Sequence, residues 1–326
     1  MGNFKNPLAE LKNGILLRGG FVNAHSHIDR AYTVNTYEVN TVANKYLKEK
    51  WKAVDEYKRL ATTETYYENM KNAILCQKWF DVSHILSFID IDSVCEYRSL
   101  LASEQAKIFA KQNGLKLKTA CQTLKGVCNK VERKYIENSI EKIDIIGSLP
   151  AADKSPEKHL DIIMNMAKSS GKRVHSHVDQ LNTDEEKETE LLARKTIEYG
   201  LEGLVTAVHS ISLACHPKKY REYVYALCKD AGISFISCPS AWIDSRRTER
   251  LSVTHNSVTP IDEILKHELI VAVGTDNIHD IYKPYSDGDM FIEMRFLLES
   301  THTYDSNLLI DMATKNGLIV MGEEYE

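Results

Sequence analysis

Eight short apolar runs rich in β-branched residues recur along the chain, separated by longer segments with helical spacing. The runs lie at residues 20–23, 82–89, 115–121, 143–147, 173–177, 204–209, 233–238 and 270–274. Apolar residues recur every three or four positions in segments such as 64–79, 100–112 and 184–199. Strands alternating with such helices are joined in parallel by right-handed crossovers, and eight units favour closure of the sheet. The pattern predicts an α/β fold, a (β/α)8 TIM barrel.

Length and charge narrow the class of protein further. A barrel takes roughly 250 residues, so we expect the 326 residues to form one domain spanning 1–326. The formal charge of −5 argues against a nucleic-acid partner, which normally meets a basic face. Since no run approaches the roughly 18 apolar residues of a membrane span, no membrane partner is expected either.

The cysteines indicate the compartment. There are seven of them, scattered and without a C-x-x-C pair, which is typical of free thiols in a reducing environment. Charged residues, among them Lys5, Glu10 and Lys12, interrupt any apolar run near the N-terminus, as a signal peptide would not allow. We therefore expect a cytoplasmic protein.

Residues 33–62 do not fit a strand. They carry Tyr37, Tyr46, Trp51 and Tyr57 among charged residues. We interpret the segment as a partly helical insertion after the first strand, either part of a lid over the site or a peripheral helix without a role in it.

Potential metal ligands lie at the predicted C-terminal strand ends, where barrel enzymes carry their chemistry. The first strand ends in His25-Ser26-His27, whose side chains project to the same side because strand residues alternate. Strands five, six and eight end at His177, His209 and Asp276. Imidazoles and one carboxylate suit Zn²⁺ or Fe²⁺. On strand five His175 competes with His177, and the position nearer the strand end favours His177.

Three motifs resemble the amidohydrolase superfamily, specifically its cytosine deaminase-like branch, which includes isopropylammelide isopropylaminohydrolases. The first is G-F-V-N-A-H-S-H-I-D-R at residues 20–30, and the second is I-D-I-D-S at 89–93. The third joins G-T-D-N-I-H-D at 274–280 to P-Y-S-D-G-D-M at 284–290. The resemblance covers about Gly20 to Gly322 and implies a barrel hydrolase.

The resemblance also implies roles for individual residues. One divalent metal ion would be bound by His25, His27, His177 and Asp276. His209 and Asp276 would be catalytic, His209 at the developing oxyanion and Asp276 as the proton carrier. The residues implied to contact the substrate are Gln122, Gln180, Arg30, Asn277 and Tyr282.

Three departures from the family pattern matter. Gln180 stands where cytosine deaminases have a proton-shuttling Glu, and an amide cannot carry a proton. Phe88 replaces a His of the second strand and makes that part of the barrel more apolar. The first metal motif comes within 25 residues of the chain's start, so we expect the family's accessory β-sandwich to be lacking and the chain to form a homo-oligomer.

These observations predict a metal-dependent aminohydrolase or deaminase. Hydroxide generated at the metal would attack the carbon of a C–N bond in a small nitrogen heterocycle and release ammonia or an amine. One alternative is a hydrolase that opens cyclic amides or imides. Another is a non-catalytic barrel that binds a metal or ligand, which Gln180 keeps open.

Overall fold

The strands form a closed parallel barrel in the computed structural model, which describes residues 6–34, 39, 45–243 and 257–325. Strands β1–β3 pair in order, as do β4–β8. Parallel backbone bridges Ser26–Asp276 and Ala120–Ile145 join the two sets, which confirms the predicted (β/α)8 barrel. The strands are β1 Phe21–Ser26, β2 Val82–Asp90, β3 Lys116–Gln122, β4 Ile146–Ser148, β5 Val174–Val178, β6 Val205–His209, β7 Ser234–Ser237 and β8 Val271–Val273.

Helices surround the barrel and follow the strands in sequence. The longer ones are α1 Pro7–Leu17, α2 Leu47–Leu60, α3 Thr63–Trp79, α4 Arg98–Gln112, α5 Lys130–Glu137, α6 Pro156–Ser170, α7 Glu188–Tyr199, α8 Lys218–Asp230, α9 Ile261–Lys266, α10 Met290–Thr301, α11 Ser306–Ala313 and α12 Lys315–Met321. Short 3₁₀ turns span Ile28–Arg30, Pro150–Ala152, Ile211–Cys215 and Pro239–Ile243.

Helix boundaries differ from the predicted ones where a side chain caps the backbone. The segment predicted from residue 184 becomes helical at Glu188, because the Asp179 carboxylate accepts from the backbone N–H groups of Glu188 and Thr189. Helix α1 was not predicted. It begins after Asn6, whose side chain accepts from Leu8 N–H, with Pro7 at its first position.

Two of the three smaller apolar clusters in the described residues lie inside the barrel, apart from the main core between strands and helices. They consist mostly of strand residues, as a filled barrel interior requires. Helix α12 contributes Val320 and Met321 to these clusters. The carbonyl of Met321 accepts from Lys118, near the start of β3, so α12 covers the N-terminal end of the strands and leaves the opposite end to the site.

Two further expectations can be compared with the described residues. The seven cysteines are all free in the structure. A helix long and apolar enough to cross a membrane is not found in the described part of the chain.

Candidate active site

Four imidazoles and one carboxylate converge at the C-terminal end of the barrel. His25 lies in β1, His177 in β5 and His209 at the end of β6. Asp276 follows β8, and its backbone N–H donates to the His25 carbonyl at 3.0 Å. A Cβ on Gly274 would lie 2.7 Å from the Cβ of His25, so a glycine is needed for β8 to approach β1 this closely.

The distances within this cluster suit a shared ion. The Asp276 Oδ1 atom lies 3.2 Å from Nε2 of His27 and 3.4 Å from Nε2 of His25. Two sets of three residues each bring one potential ligand atom per residue to within 4.8 Å of the others. The sets are His25, His27 and His177, and His25, His209 and Asp276.

Unpaired nitrogens support a metal at this place. Among the described residues, no hydrogen-bond partner is found for either ring nitrogen of His25, for Nδ1 of His27 and His209, or for Nε2 of His177, and all these atoms are buried. Burying an unpaired polar atom costs about 1–3 kcal/mol, so such a concentration needs a reason. A bound cation supplies one, and imidazole with carboxylate fits Zn²⁺ or Fe²⁺.

The protonation states agree with this fit. Burial lowers the pKa of His25 and holds the pKa of His27 and of His177 well below the ordinary value. Burial likewise lowers the pKa of His209 to about 3. The imidazoles are therefore neutral at pH 7, the form that binds a metal.

Asp276 is kept ionised by a buried lysine that the sequence analysis did not identify. Burial alone would raise the pKa of the Asp276 carboxyl, but the Lys283 ammonium and the contacts from His25 and His27 hold it well below its usual range. Lys283 Nζ lies 3.7 Å from Asp276 Oδ2 and donates to Ser240 Oγ at 3.2 Å. Ser240 in turn donates to Glu293. A lone lysine in a loop has no sequence signature.

Strand β5 presents His177, not His175, to the cluster. His175 lies deeper in the barrel and its Nε2 is 2.9 Å from the Val320 carbonyl of α12. The His177 ring centroid is 4.8 Å from that of His25 and 5.3 Å from that of His209. The geometry therefore favours the predicted choice of His177.

Phe88 borders the cluster from β2. Its ring centroid lies 4.6 Å from that of His177 and 4.8 Å from that of His25, in edge contacts. A Cβ on Gly147 would come within 2.6 Å of the Phe88 ring. The phenyl ring thus fills apolar space beside the imidazoles, as expected from the sequence.

A small pocket with about 20 Å³ of water-accessible space lies above the cluster. All the predicted site residues except His25, which is fully buried beside it, line this pocket. Apolar side chains that the resemblance did not indicate complete the wall. The lining residues are His27, Arg30, Leu47, Trp51, Gln122, Leu124, Leu149, His177, Gln180, His209, Asp276, Asn277 and Tyr282.

Arg30 is held in a buried ionic network at the pocket wall. Its Nη1 donates to both oxygens of Asp90 at 3.1 and 3.2 Å, and its Nε lies 3.6 Å from Asp280. The guanidinium stacks 5.0 Å from the centroid of the Tyr282 ring. Asn277 donates to Asp280 as well. Arg30 is thereby fixed in place and its charge balanced.

The insertion after β1 contributes to the pocket. Helix α2 lies within the predicted segment 33–62, and its Leu47 and Trp51 line the pocket. Tyr57 donates to the Asp29 carbonyl at 3.5 Å. Tyr37 lies outside the described residues. The contacts favour a wall or lid over a peripheral helix.

Half-buried carboxylates organise the loop that carries Gln180. Glu186 accepts from the Leu181 N–H, and Glu188 accepts from the Asp179 N–H. Burial, followed by the charges of Glu186 and Asp179, raises the pKa of Glu188 to about 8. Between its ordinary pKa and this value, the folded chain holds a proton that the unfolded chain has lost, so stability falls as pH rises.

We expect Glu188→Gln to stabilise the protein more at pH 8 than at pH 5, by on the order of 1 kcal/mol, because it removes this ionisation. Thermal unfolding at the two pH values measures the difference. Glu141→Gln, on the exposed surface, is the control and should show no pH-dependent gain. An equal effect of Glu188→Gln at both pH values would contradict the assignment.

Comparison with known proteins relates the chain to enzymes of known activity. An uncharacterized protein of Haemophilus influenzae is 40% identical over 259 residues, 78% of this chain and 94% of that protein. The N-isopropylammelide isopropyl amidohydrolase of Pseudomonas sp. strain ADP is 25% identical, covering 95% of this chain and 76% of its own. A pterin deaminase of Rhizobium rhizogenes is 26% identical over 167 residues, which make up 50% of this chain and 38% of that protein.

Solved structures support the fold. The 5-methylcytosine deaminase from Klebsiella pneumoniae, liganded with phosphonocytosine, superposes with a TM-score of 0.84 at 22% identity, covering 93% of this chain and 75% of its own. N-isopropylammelide isopropylaminohydrolase from Burkholderia multivorans gives 0.73 at 14% identity, covering 93% and 74%.

The family model described as the amidohydrolase family matches residues 19–325, nearly the whole chain. The match includes every strand of the barrel and the five residues of the cluster. The chain belongs to the amidohydrolase family, as its motifs predicted.

Proposed function

We propose that the protein hydrolyses a C–N bond of a small nitrogen heterocycle and releases ammonia or an amine. His25, His27, His177 and Asp276 would hold one divalent ion, Zn²⁺ or Fe²⁺. The observation that carries the proposal is the set of buried, unpaired imidazole nitrogens around Asp276 at the floor of an open pocket. Relatives named for isopropylammelide, pterin and 5-methylcytosine support the class of substrate.

The metal, when bound, supplies Lewis acidity that makes water a nucleophile near pH 7. The chain's own residues would do the rest. Asp276, ionised beside Lys283, can accept a proton from the attacking water and pass it to the leaving nitrogen. Neutral His209 lines the pocket and can donate an N–H to the oxygen that gains negative charge.

Amide side chains suit recognition of the ring. Gln122, Gln180 and Asn277 all line the pocket and can donate and accept hydrogen bonds at adjacent ring atoms. Gln122 already orients its Oε1 toward the Thr123 N–H, at 3.2 Å, which leaves its NH₂ for a substrate acceptor. The Leu47 and Trp51 side chains would cover the ring faces.

The test is a panel of aminopyrimidines, aminopterins, alkylaminotriazines and cyclic imides. Each compound is assayed with protein from which metal has been removed by a chelator, and again after Zn²⁺ or Fe²⁺ is restored. Release of ammonia or an amine in the metal-restored protein is the expected result. Opening of an imide ring without amine release would support the alternative hydrolase. Stoichiometric binding without turnover of any compound would support the non-catalytic reading.

Gln180→Glu tests the departure at the proton-shuttle position. A carboxyl group there can move a proton between water and a ring nitrogen, which the amide cannot. We expect at least a tenfold gain in the rate of cytosine or isocytosine deamination. A well-positioned acid or base contributes about 10²–10⁴-fold to a rate, and tenfold is set as the minimum gain. Ammonia release measures it, with Gln122→Glu at the end of β3, which also lines the pocket, as the matched control. No gain would show that this position does not limit substrate choice.

A location in the cytoplasm and assembly into a homo-oligomer belong to the same proposal. The seven free cysteines support the former. Exposed apolar side chains such as Leu17 and Trp79 support the latter, since oligomer interfaces bury such groups. Light scattering of the purified protein gives the oligomeric state.

A further inference from the structure

A second cavity of about 360 Å³ adjoins the catalytic pocket. The two share Trp51 and Leu124 as lining residues, so one layer of side chains separates them. Four lysines line this outer cavity, which we call the lysine vestibule. Its lining residues are Lys48, Trp51, Lys52, Leu124, Lys125, Ala151, Ala152, Asp153 and Lys154.

Helix α2 faces both cavities through adjacent rows of side chains. Leu47 and Trp51, four residues apart, line the catalytic pocket, and Trp51 also reaches the vestibule. Lys48 and Lys52, displaced by one position, line the vestibule. Residues four apart share a helix face, so the apolar row meets the ring site and the basic row extends the same surface outward.

The vestibule has positive charge that its own residues do not balance. Lys125 is paired with Asp55. Asp153 is the one carboxylate among the described lining residues, and its Oδ2 atom is already engaged: it accepts from the Val127 N–H at 2.7 Å and lies 2.7 Å from Nδ1 of His159. Neither Lys52 nor Lys154 has an ion-pair partner within the described ranges.

The catalytic pocket, by contrast, has its charges matched. Arg30 is paired with Asp90 and Asp280, and Asp276 with Lys283. A ring without net charge therefore suits the pocket, and an anionic group would find uncompensated cations in the vestibule. Lysine ammonium groups bind carboxylate and phosphate alike as point charges.

We infer that the substrate heterocycle carries an anionic substituent, a carboxylate or a phosphate, that passes Trp51 and is bound in the vestibule by Lys52 and Lys154, with Lys48 adding to the field. The inference rests on the proposed function for the position of the ring. It adds that the anionic substituent of the heterocycle determines which substrate is selected.

Binding can be measured apart from turnover with compounds that lack a leaving amine. We would titrate the metal-loaded protein calorimetrically with 1-carboxymethyluracil and with its uncharged isostere 1-carbamoylmethyluracil. Methyl phosphate and glutarate are ring-free probes of the vestibule, and comparing them separates the phosphate from the carboxylate source. The expected result is about tenfold tighter binding of the acid than of its amide, from two partly screened ion pairs, and a smaller preference at 0.5 M salt.

The double variant Lys52→Ala/Lys154→Ala should abolish the preference for anions and leave the thermal unfolding temperature unchanged, because both side chains are exposed. Lys111→Ala makes the same kind of charge change at the C-terminus of α4, toward the opposite barrel end, and should keep the preference. Anion binding that is equal in the wild type and the double variant, or absent for all four probes, would overturn the inference.

These outcomes are independent of the reaction. Lysine-dependent binding of the ring-free anions, with no amine release from any compound of the substrate panel, would refute the proposed function and leave the vestibule standing. Amine release from neutral heterocycles, without lysine-dependent anion binding, would do the reverse.

Discussion

Replacing Asp276 with asparagine is expected to lower kcat/KM about 10³-fold for any substrate that the protein turns over. The amide keeps the size of the side chain, and its oxygen can still face His25 and His27. It cannot take the proton of the attacking water or return it to the leaving nitrogen, and such transfer contributes about 10²–10⁴ to a rate. Steady-state kinetics with the metal restored measure the loss.

The matched control is Asp262→Asn, which removes one carboxylate from the surface of α9, where Asp262 forms a 3.9 Å pair with Lys266. This variant should retain wild-type kinetics. A loss of less than tenfold in Asp276→Asn, with metal content unchanged, would contradict the role of Asp276 as proton carrier and leave it at most a ligand.

Replacing Lys283 with methionine is expected to lower the free energy of unfolding by about 3 kcal/mol. Methionine fills similar volume, but it leaves the buried Asp276 and Glu293 carboxylates without their cation, and breaking a buried ion pair from one side costs about 3–5 kcal/mol. Chemical denaturation of the metal-free protein measures the change. Lys229→Met, which breaks an exposed pair with Glu268, should cost less than about 1 kcal/mol.

A second substitution separates this charge effect from a packing effect. Glu293→Gln keeps an acceptor for one of the two hydrogen bonds that Ser240 donates and removes one uncompensated charge, so the double variant Lys283→Met/Glu293→Gln should recover part of the loss. Additive destabilisation in the double variant would indicate that Lys283 contributes through packing, and the ionic account of Asp276 would fail.

The barrel was predictable because its strands are short and buried on both faces. Such strands stand out as apolar runs between longer helical periods, and eight of them leave few alternatives. Boundaries set by side-chain caps were less predictable. Helix α7 begins at Glu188 because Asp179, nine residues earlier, caps it, and helical periodicity does not register such a contact.

The residues of the candidate site likewise fall into those that the sequence predicts and those that it does not. His25 and His27 have a spacing that itself indicates shared coordination, and the motif around Asp276 is long enough to be specific. Lys283 and Lys154 carry no such pattern, because their significance depends on burial beside Asp276 and on a cavity shared with another loop. A sequence reading assigns such lysines to the surface, where most lysines lie.

Metal content tests whether His25, His27, His177 and Asp276 form one metal site. Protein stripped of metal by a chelator would be incubated with excess Zn²⁺ or Fe²⁺ and desalted. The bound metal per chain would then be measured by elemental mass spectrometry. We expect one ion per chain in the wild type and in His175→Ala, and less than about a tenth of that in His177→Ala. Full metal content in His177→Ala, or none in the wild type, would contradict this metal site.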